Sequence, residues 1–455
     1  MSTGSPKRIL IVGGGYVGMY TAIRLLKKLK SGEATVTVVD PKSYMTYQPF
    51  LPEASAGSIN SRHACIPLRR VLKKADIITG YVTEVDHSQR CAIVQPLEGE
   101  AFELAYDILV FGPGSISKTL PVPGLADWGI GFKTVEEAIS LNNRVIECLD
   151  IAESATDPEI RERNLTFVVV GGGYSGIEAL AEMEDMCRYA TRYYKNISPQ
   201  DLRWVMVEAS DHILPEVGKD LGVYAIKELE KRGIQIKLNT RLDSCENGVI
   251  KLSDGTEMLA DTLVWTAGVK ANPLCEYTDL PTDEKGRIIG RTTLVVDGLE
   301  DAFVSGDCAA IPDLTEPGQL CSPSAQHAMR QAKVLANNVL ATLRGNEMKE
   351  YRHSNVGSVA SLGLYHGVAN IYGIKMRGLP AWFMHRTYHG VMVPTFARTV
   401  QVVSDWTLQL LFRREVVGTW GVHEPFKEFS QAARNVSPGT DARPTLGRGT
   451  TSESE

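Results

Sequence analysis

The sequence lacks closely spaced cysteines. Its eight cysteines are scattered, and none forms a Cys-x-x-Cys pair or another short-spaced pair of the kind that ligates a metal ion. They are interpreted as reduced thiols in a reducing compartment, and no metal site is predicted. The cysteines lie at positions 65, 91, 148, 187, 245, 275, 308 and 321.

Long apolar runs and an excess of positive charge are also missing. No apolar stretch approaches the ~20 residues that cross a bilayer, and the N-terminal residues have no signal-peptide layout, so a cytoplasmic protein is expected. The net charge of -6 provides no broad basic field, which argues against a nucleic-acid-binding protein. With 455 residues, 43% of them apolar and 22% charged, the chain is expected to form two or three folded domains.

What the sequence does contain is one pattern that occurs twice. The apolar strand RILIV runs into the turn GGGYVG, a helical pattern follows, and a second strand, ATVTVVD, ends at Asp40. The same order occurs again about 160 residues later. There the strand LTFVVV runs into the turn GGGYSG, a helix follows, and the next strand ends at Glu208. The pattern predicts two Rossmann-like dinucleotide-binding domains of the α/β class, with a C-terminal α+β region.

The first glycine turn predicts a dinucleotide site. Gly13 permits the tight turn, Gly15 lets backbone N–H groups approach a pyrophosphate, and Gly18 allows close helix packing. Asp40, at a strand end, can accept hydrogen bonds from both ribose hydroxyls. The predicted site also includes Tyr16, Val17, Pro41 and Gly112.

The second turn predicts a site for NADH. Gly171, Gly173 and Gly176 repeat the spacing, and no Arg or Lys follows Glu208 to bind a 2′-phosphate, which favours NADH over NADPH. Gly268 is included in this site. Glu178, two residues after the last glycine, has two interpretations: a first-turn carboxylate that interacts with the helix dipole, or a contact to the nicotinamide.

Two dinucleotide sites in one chain indicate a hydride transfer between two coenzymes. One carrier must stay bound, because a freely exchanging pair would have to meet by diffusion, so FAD is assigned to the first site and NADH to the second. The segment DAFVSGDCAA supports FAD: Asp307 can accept from the ribityl chain, and Gly306 allows close backbone approach.

These residues resemble the two-dinucleotide flavoprotein superfamily and, within it, the type II NADH:quinone oxidoreductases. The resemblance covers roughly residues 7–425 and rests on GGGYVG, GGGYSGIE, WTAG, SGDCAA, TYQPFLPEASAG (46–57) and SAQHAMRQA (324–332). It implies transfer of hydride from NADH to FAD and of two electrons to a membrane quinone, without proton pumping. It also places Gln48 and Pro49 beside the flavin ring, where the absence of cysteine argues against a disulfide relay.

The family's quinone motif has the form Ala-Gln-x-Ala-x-Gln. This chain has Ala325, Gln326 and Ala328, but Arg330 stands where the second glutamine belongs. Gln331 is rotated about 100° from that face of the helix. The resemblance implies that Ala325 and Gln326 lie at the flavin and that Gln326 and Arg330 face the quinone.

The helix that carries this motif has a predicted electrostatic role. Ser322 and Pro323 are predicted as its N-cap and first turn. The positive end of the helix dipole would stabilise negative charge on the reduced flavin.

The resemblance and the strand pattern predict the domain boundaries. The FAD-binding domain is expected to be discontinuous, over residues 7–125 and 297–345, with the NADH-binding domain inserted at 126–296. Residues 346–430 are expected to form a membrane or interface region, and the apolar-poor residues 431–455 a disordered tail.

The C-terminal region mixes aromatic and cationic residues. This composition suits an interfacial element that attaches the protein to the inner face of the cell membrane, although DWTLQLLFRR shows no clean apolar stripe. A homodimer interface and plain core packing are the alternatives. The residues concerned are Trp382, Phe383, Trp406, Phe412, Trp420, Arg386, Arg398, Arg413 and Arg414.

Two other functions remain open. One is an NADH-dependent flavoprotein reductase of a non-quinone acceptor such as a protein electron carrier, a hypothesis motivated by Arg330 and by the cluster of His385, Arg386 and His389. The other is a redox sensor that binds FAD and NADH but turns over slowly.

Overall fold

A computed structural model describes residues 5–353 and 357–419. The strands are β1 (Lys7–Val12), β2 (Ala34–Asp40), β3 (Tyr44–Thr46), β4 (Cys65–Pro67), β5 (Asp76–Asp86), β6 (Cys91–Pro96), β7 (Phe102–Ala105), β8 (Ile108–Phe111), β9 (Ser115–Ser117), β10 (Gly129–Gly131), β11 (Thr166–Val170), β12 (Arg203–Val207), β13 (Gln235–Lys237), β14 (Leu242–Ser244), β15 (Val249–Leu252), β16 (Glu257–Leu259), β17 (Thr262–Trp265), β18 (Val269–Ala271), β19 (Ile288–Ile289), β20 (Ala302–Val304), β21 (Ala309–Ala310), β22 (Gly357–Ser361), β23 (Gly367–Ile371) and β24 (Ile374–Arg377). The α-helices are α1 (Tyr16–Lys28), α2 (Leu51–Ser55), α3 (Leu68–Val71), α4 (Leu125–Trp128), α5 (Val135–Ser154), α6 (Pro158–Leu165), α7 (Tyr174–Ala190), α8 (Lys219–Glu230), α9 (Ala325–Arg344), α10 (Leu379–Met392) and α11 (Phe396–Phe412).

The chain divides into two compact units. The first contains the described residues of 1–47, 65–118 and 268–355, and the second those of 48–64, 119–267 and 356–455. Each unit is therefore assembled from separate stretches of sequence.

The first unit contains a seven-stranded sheet in the order β20-β8-β1-β2-β5-β6-β7. Strands β20, β8, β1, β2 and β5 are parallel, whereas β6 and β7 continue the sheet in antiparallel pairing. Ile9, Leu10 and Ile11 are buried in succession, as expected for a central parallel strand covered on both faces. Helices α1 and α9 pack against each other in this unit.

The second unit contains a five-stranded parallel sheet in the order β10-β17-β11-β12-β13. Helix α5 begins with a capping box, in which the Thr134 hydroxyl and the Glu137 carboxylate each accept a hydrogen bond from the other residue's backbone N–H. The α/β class with two Rossmann-like sheets, predicted from the repeated strand–turn–helix pattern, is confirmed.

The C-terminal part of the second unit contains the antiparallel sheet β22-β23-β24 and helices α10 and α11. Both strands and helices are therefore present in the C-terminal region, as the predicted α+β class requires, and α10 packs on β22 and β23. Trp420 and the predicted tail at 431–455 lie outside the described residues. Among the helices that the structure describes, none is long and apolar enough to span a membrane.

Candidate nucleotide-binding and electron-transfer sites

The first glycine turn lies between β1 and α1. Gly13 has φ +92°, and a Cβ there would lie 2.5 Å from the Gly112 carbonyl oxygen. A Cβ on Gly18 would lie 1.8 Å from the Gly13 carbonyl oxygen. Gly15 is different, because its φ of -71° suits any residue and no atom lies within 4 Å of the position that its Cβ would take. The protein's own packing requires the first and third glycines, and the second keeps space open beside the backbone.

The second turn, between β11 and α7, repeats this geometry. Gly171 has φ +112°, and a Cβ on Gly176 would lie 1.9 Å from the Gly171 carbonyl oxygen. Gly173 has φ -74°, and no atom lies within 4 Å of the place that a Cβ would occupy there. The same open space at the middle glycine of both turns is what a closely approaching pyrophosphate needs, so the residues fit the two predicted dinucleotides.

Each turn is joined to the carboxylate at the end of the next strand. Asp40 Oδ2 accepts a hydrogen bond from Gly14 N at 2.6 Å, and Glu208 Oε2 accepts one from Gly172 N at 2.5 Å. Burial raises the pKa of Asp40, although the bonds from the Gly14 and Lys42 backbones oppose that effect. The two acids, 168 residues apart in sequence numbering, therefore occupy equivalent places in the two units.

The remaining predicted residues of the first site lie around the same turn. The Tyr16 ring lies 6.1 Å from that of Tyr47, and Pro41 is half-buried directly after Asp40. A Cβ on Gly112 would lie 2.9 Å from Val17 Cγ1.

Gly268, which was predicted for the second site, belongs by packing to the first unit. It is exposed and has φ +96°, and no atom lies within 4 Å of the position that its Cβ would take. Gly268 therefore packs with the first unit, whereas the second glycine turn belongs to the second unit.

Asp307 and Gly306 follow β20 at the carboxyl end of the first sheet. Asp307 Oδ2 accepts from the Ser115 hydroxyl at 2.6 Å, and a Cβ on Gly306 would lie 2.7 Å from Val17 Cγ2. Gly306 N donates to Gln331 Oε1 at 2.8 Å. The carboxyl ends of parallel strands are where ligands bind in open α/β sheets, so the position suits the predicted FAD contact.

Gln331 is a residue whose role the sequence did not reveal. It is 1% exposed and holds the Gly306 turn from within α9. Gln331 lies three residues after Ala328 and four before Leu335, so it shares the buried face of α9 with them. This helical spacing was the only indication in the sequence that its side chain is buried. Its amide oxygen is therefore used within the protein, by the Gly306 backbone.

Helix α9 begins later than predicted. Ser324 is the N-cap, with extended backbone and a hydroxyl that accepts from His327 N at 3.2 Å, so the predicted cap at Ser322 and Pro323 is wrong. Pro323 precedes the cap and takes no part in the first turn. Ala325 and Gln326 are the first two helical residues and both are half-buried.

Arg330 lies one turn further along α9. Its Nη1 atom is 3.4 Å from His353 Nε2, and the residue is half-buried. The guanidinium is therefore held beside an imidazole of the same unit, which restrains its position.

Glu178 is the fifth residue of α7 and not part of its first turn, which contains no acidic residue. The interpretation as a helix-dipole carboxylate is therefore wrong. Glu178 is 6% exposed, its Oε1 accepts from Ser361 N at 2.8 Å, and the same oxygen lies 3.0 Å from His385 Nε2. Burial alone would lower the pKa of His385, but the Glu178 and Glu53 carboxylates raise it above its usual value.

The segment 46–57 contains a buried carboxylate that the sequence did not single out. Glu53, in α2, accepts from Trp406 Nε1 at 2.9 Å and lies 3.2 Å from Arg386 Nη2. Burial raises the pKa of Glu53 in spite of the nearby guanidinium. The predicted flavin neighbours Gln48 and Pro49 precede α2 and are half-buried, and Gln48 Nε2 donates to the Lys133 carbonyl at 3.3 Å.

The cysteines do not form a disulfide in the structure. All eight are free thiols, and six are buried. The pKa of Cys308 is raised well above that of an ordinary thiol, mainly by a hydrogen bond with Cys275 and to a smaller extent by burial. Such a thiol is a poor nucleophile.

Comparison with known proteins identifies the family. The family model of pyridine nucleotide-disulphide oxidoreductases matches residues 7–332. A type II NADH:quinone oxidoreductase from Staphylococcus epidermidis is 31% identical over 385 residues, which are 84% of this chain and 93% of that protein. The chain belongs to the type II NADH:quinone oxidoreductase family. The resemblance inferred from the sequence motifs is therefore confirmed.

A further relative has the same family name, and two solved structures share the fold. The enzyme Ndh from Mycobacterium tuberculosis is 29% identical over 422 residues, covering 90% of this chain and 89% of that protein. The structure of NDH2 from Plasmodium falciparum in complex with NADH has a TM-score of 0.84 at 16% identity, covering 90% of this chain and 99% of that one. The sulfide:quinone oxidoreductase of Aquifex aeolicus has a TM-score of 0.69 at 16% identity, covering 90% and 96%. At these identities the two structures show a shared fold.

Proposed function

We propose that this protein is an FAD-dependent NADH dehydrogenase that reduces a membrane quinone. The observation that carries the proposal is the pair of glycine turns, each with an open middle glycine and a carboxylate bound to the turn. Membership of the type II NADH:quinone oxidoreductase family supports the same function. When bound, FAD would take a hydride from NADH and deliver two electrons to the quinone, without proton pumping.

The first unit would hold FAD. Backbone N–H groups at the start of α1 would face the pyrophosphate, Asp40 the ribose, and Asp307 the ribityl chain. The supporting residues are Gly13, Gly15, Tyr16, Val17, Gly18, Pro41, Gly112, Gly306, Ala325 and Gln326. The discontinuous domain at 7–125 and 297–345 is part of this proposal.

The second unit would hold NADH. The start of α7 would face the pyrophosphate through Gly171, Gly173 and Gly176, and the domain proposed over residues 126–296 contains this turn. Glu208 already binds Gly172 N, and its second oxygen accepts from Ser210 N at 2.8 Å. The carboxylate would accept from the ribose hydroxyls and repel a 2′-phosphate, which favours NADH. We assign the nicotinamide contact to Glu178.

The start of α9 would act on the electron-accepting side. The positive end of its helix dipole would stabilise developing negative charge, and Gln326 can donate a hydrogen bond to a quinone carbonyl. Arg330 adds a second donor, held beside His353.

Anaerobic stopped-flow spectroscopy tests the function. NADH should bleach the flavin colour much faster than NADPH, and a short-chain ubiquinone or menaquinone should restore the colour faster than ferricyanide at matched concentration. Gln326→Leu should slow the restoration by quinone much more than it slows bleaching by NADH, because its side chain is assigned to the quinone carbonyl. Quinone acting no faster than ferricyanide would contradict the quinone assignment. Failure of every acceptor to restore the colour would favour the slow redox sensor.

A protein electron carrier has less support as acceptor. The cluster that motivated this hypothesis is directed into the second unit, since His385 and Arg386 are 3% and 5% exposed. The His389 ring lies 4.6 Å from that of His385. A docking site for another protein would need such groups at the surface.

The C-terminal helices support attachment to a membrane surface. In α11, Val402, Trp406 and Gln409 are buried, whereas the other face carries an apolar stripe that the segment DWTLQLLFRR alone did not reveal. The stripe becomes visible once the helix is extended back to Phe396. The exposed apolar residues of α11 are Phe396, Val400, Val403, Leu408, Leu410, Leu411 and Phe412.

The charges of α11 fit a lipid partner. Its one acidic residue, Asp405, turns inward, accepting from Asn60 N at 3.1 Å and pairing with His63 Nδ1 at 2.5 Å. Arg413, directly after the helix, is exposed. Not all of the predicted anchors belong to this surface, because Trp382, Trp406, Arg386 and Arg414 are buried. We therefore propose that the stripe attaches the protein to the inner face of the cell membrane.

Vesicle sedimentation tests this attachment. Wild-type protein should sediment with vesicles that contain anionic lipid, and Phe396→Ser/Leu411→Ser should bind them roughly 10–100-fold more weakly, because two apolar side chains no longer enter the lipid. A matched control is Leu97→Ser/Tyr372→Ser, at two other exposed apolar residues. Equal binding by the two double variants would contradict the assignment. Dissociation of a dimer, without any change in vesicle binding, would identify the stripe as an interface between two copies.

A further inference from the structure

Three potential metal ligands meet in the first unit although they are not closely spaced in sequence. Asp313, Cys321 and His327 each place one ligand atom within 4.8 Å of the others. Asp313 and Cys321 stand at the two ends of a loop closed by the bond from Asp313 N to the Gln319 carbonyl at 2.9 Å. His327 lies in the first turn of α9. A cation here would join the loop to the start of that helix.

The loop ends are held by the protein itself. Cys321 N donates to the Ile311 carbonyl at 2.8 Å, and Asp313 Oδ1 accepts from Thr315 N at 2.8 Å. Because the Thr315 backbone and hydroxyl both bind Oδ1, the other carboxylate oxygen can turn toward the cluster. The positions of the ligands therefore depend on backbone contacts that exist without an ion.

The imidazole of His327 is oriented by a buried hydroxyl. Tyr351, 2% exposed, places its hydroxyl oxygen 3.0 Å from His327 Nδ1 and 3.0 Å from His353 Nδ1. One hydroxyl proton serves only one imidazole. A cation bound at His327 Nε2 requires the tautomer in which the Nδ1–H of His327 donates to the Tyr351 oxygen and the Tyr351 hydroxyl donates to His353. The lone pair of His327 then lies on Nε2. This is the arrangement in which a second hydrogen bond orients a metal-binding histidine.

The ligand types select the ion. One sulfur, one imidazole nitrogen and one carboxylate oxygen suit Zn²⁺, whereas Mg²⁺ and Ca²⁺ prefer oxygen ligands alone. Zinc bonds of about 2.0–2.3 Å separate neighbouring tetrahedral ligands by about 3.3–3.8 Å, so small side-chain rotations would complete the site. Three protein ligands leave the fourth position for water.

We propose that Asp313, Cys321 and His327 form a mononuclear Zn²⁺ site with one open coordination position. Binding replaces the S–H bond of Cys321 by a Zn–S bond, and the thiol proton leaves to solvent. The ion then links the loop at 313–321 to α9, one residue from Gln326. The site needs no nucleotide and is independent of the proposed electron acceptor.

The test uses FAD-loaded protein, added Zn²⁺ and a competing chelator. Wild type should retain one zinc per chain and release about one proton on binding, measured by calorimetry in two buffers of different ionisation enthalpy. Cys321→Ser should bind at least tenfold more weakly and release about one proton fewer than wild type. Cys91→Ser is the matched control, a half-buried thiol far along the sequence, and should bind zinc like wild type.

Two further measurements protect the test against misfolding of Cys321→Ser. Asp313→Asn changes a half-buried side chain and should also weaken zinc binding at least tenfold. X-ray absorption on the wild-type protein should show one sulfur at about 2.3 Å and nitrogen or oxygen at about 2.0–2.1 Å. Zinc bound without sulfur, no retained zinc, or equal loss in Cys91→Ser would each overturn the proposal.

Discussion

Replacing Gly15 by alanine is expected to give a folded protein that purifies without its yellow colour. The new methyl group meets no protein atom within 4 Å, and φ of -71° is ordinary for alanine. The cost to folding should be about 1 kcal/mol or less, the usual difference at a helix N-cap. The methyl group would instead occupy the space proposed for the FAD pyrophosphate. The flavin content per chain, measured after denaturation, should fall roughly tenfold or more.

Gly173→Ala is the matched control, because Gly173 occupies the same position in the second turn. This variant should keep its flavin and raise KM for NADH roughly tenfold or more. Gly18→Ala provides the contrast, since its Cβ would lie 1.8 Å from the Gly13 carbonyl oxygen and should disturb folding itself. A Gly15→Ala protein with wild-type flavin content would show that the first turn does not hold the pyrophosphate.

Arg386→Ala is expected to cause the largest loss of stability. The guanidinium lies 4.3 Å from the Trp382 ring centroid and 5.1 Å from that of Trp406. It also lies 3.2 Å from Glu53 Oε1, in a cluster whose residues are all at most 8% exposed. Its removal leaves the Glu53 carboxylate buried without its counter-ion. The free energy of unfolding, measured with urea, should fall by about 3–5 kcal/mol.

Two variants separate the causes of that loss. Glu53→Gln/Arg386→Met removes both charges and should be less destabilised than Arg386→Ala, because no buried charge is left unpaired. Arg377→Ala removes an exposed guanidinium that lies 5.2 Å from the Tyr224 ring centroid, and should cost about 0.5–1 kcal/mol. If Arg386→Ala were no more destabilising than Arg377→Ala, the buried cluster would not contribute as described.

The parts of the site that could be predicted are local in sequence. A strand, a glycine turn and a helix follow one another directly, and each glycine's role depends on neighbours within the same βαβ unit. For this reason Gly13 and Gly18 have the packing roles expected from their spacing. The acids Asp40 and Glu208 were also found from position alone, because a strand end adjacent to the turn places a carboxylate within reach of its N–H groups.

Predictions failed where a local pattern offered two similar choices. Ser322 and Ser324 both precede α9, and only the backbone conformation shows that the hydroxyl of Ser324 reaches the His327 N–H. Glu178 is close enough to the start of α7 to suggest a dipole contact. In the fold its carboxylate instead meets Ser361 and His385, 183 and 207 residues further along the chain.

By itself the sequence determined two α/β nucleotide-binding units, the order of their elements and the acids at their turns, because these depend on the periodicity of strands and helices and on glycine geometry. Only the tertiary structure decided which residues from distant segments meet. Glu53 joins Trp406, Asp405 turns toward His63, and Asp313, Cys321 and His327 come together around one point. Such contacts depend on how distant segments pack against one another. The spacing of these residues along the chain does not predict that packing.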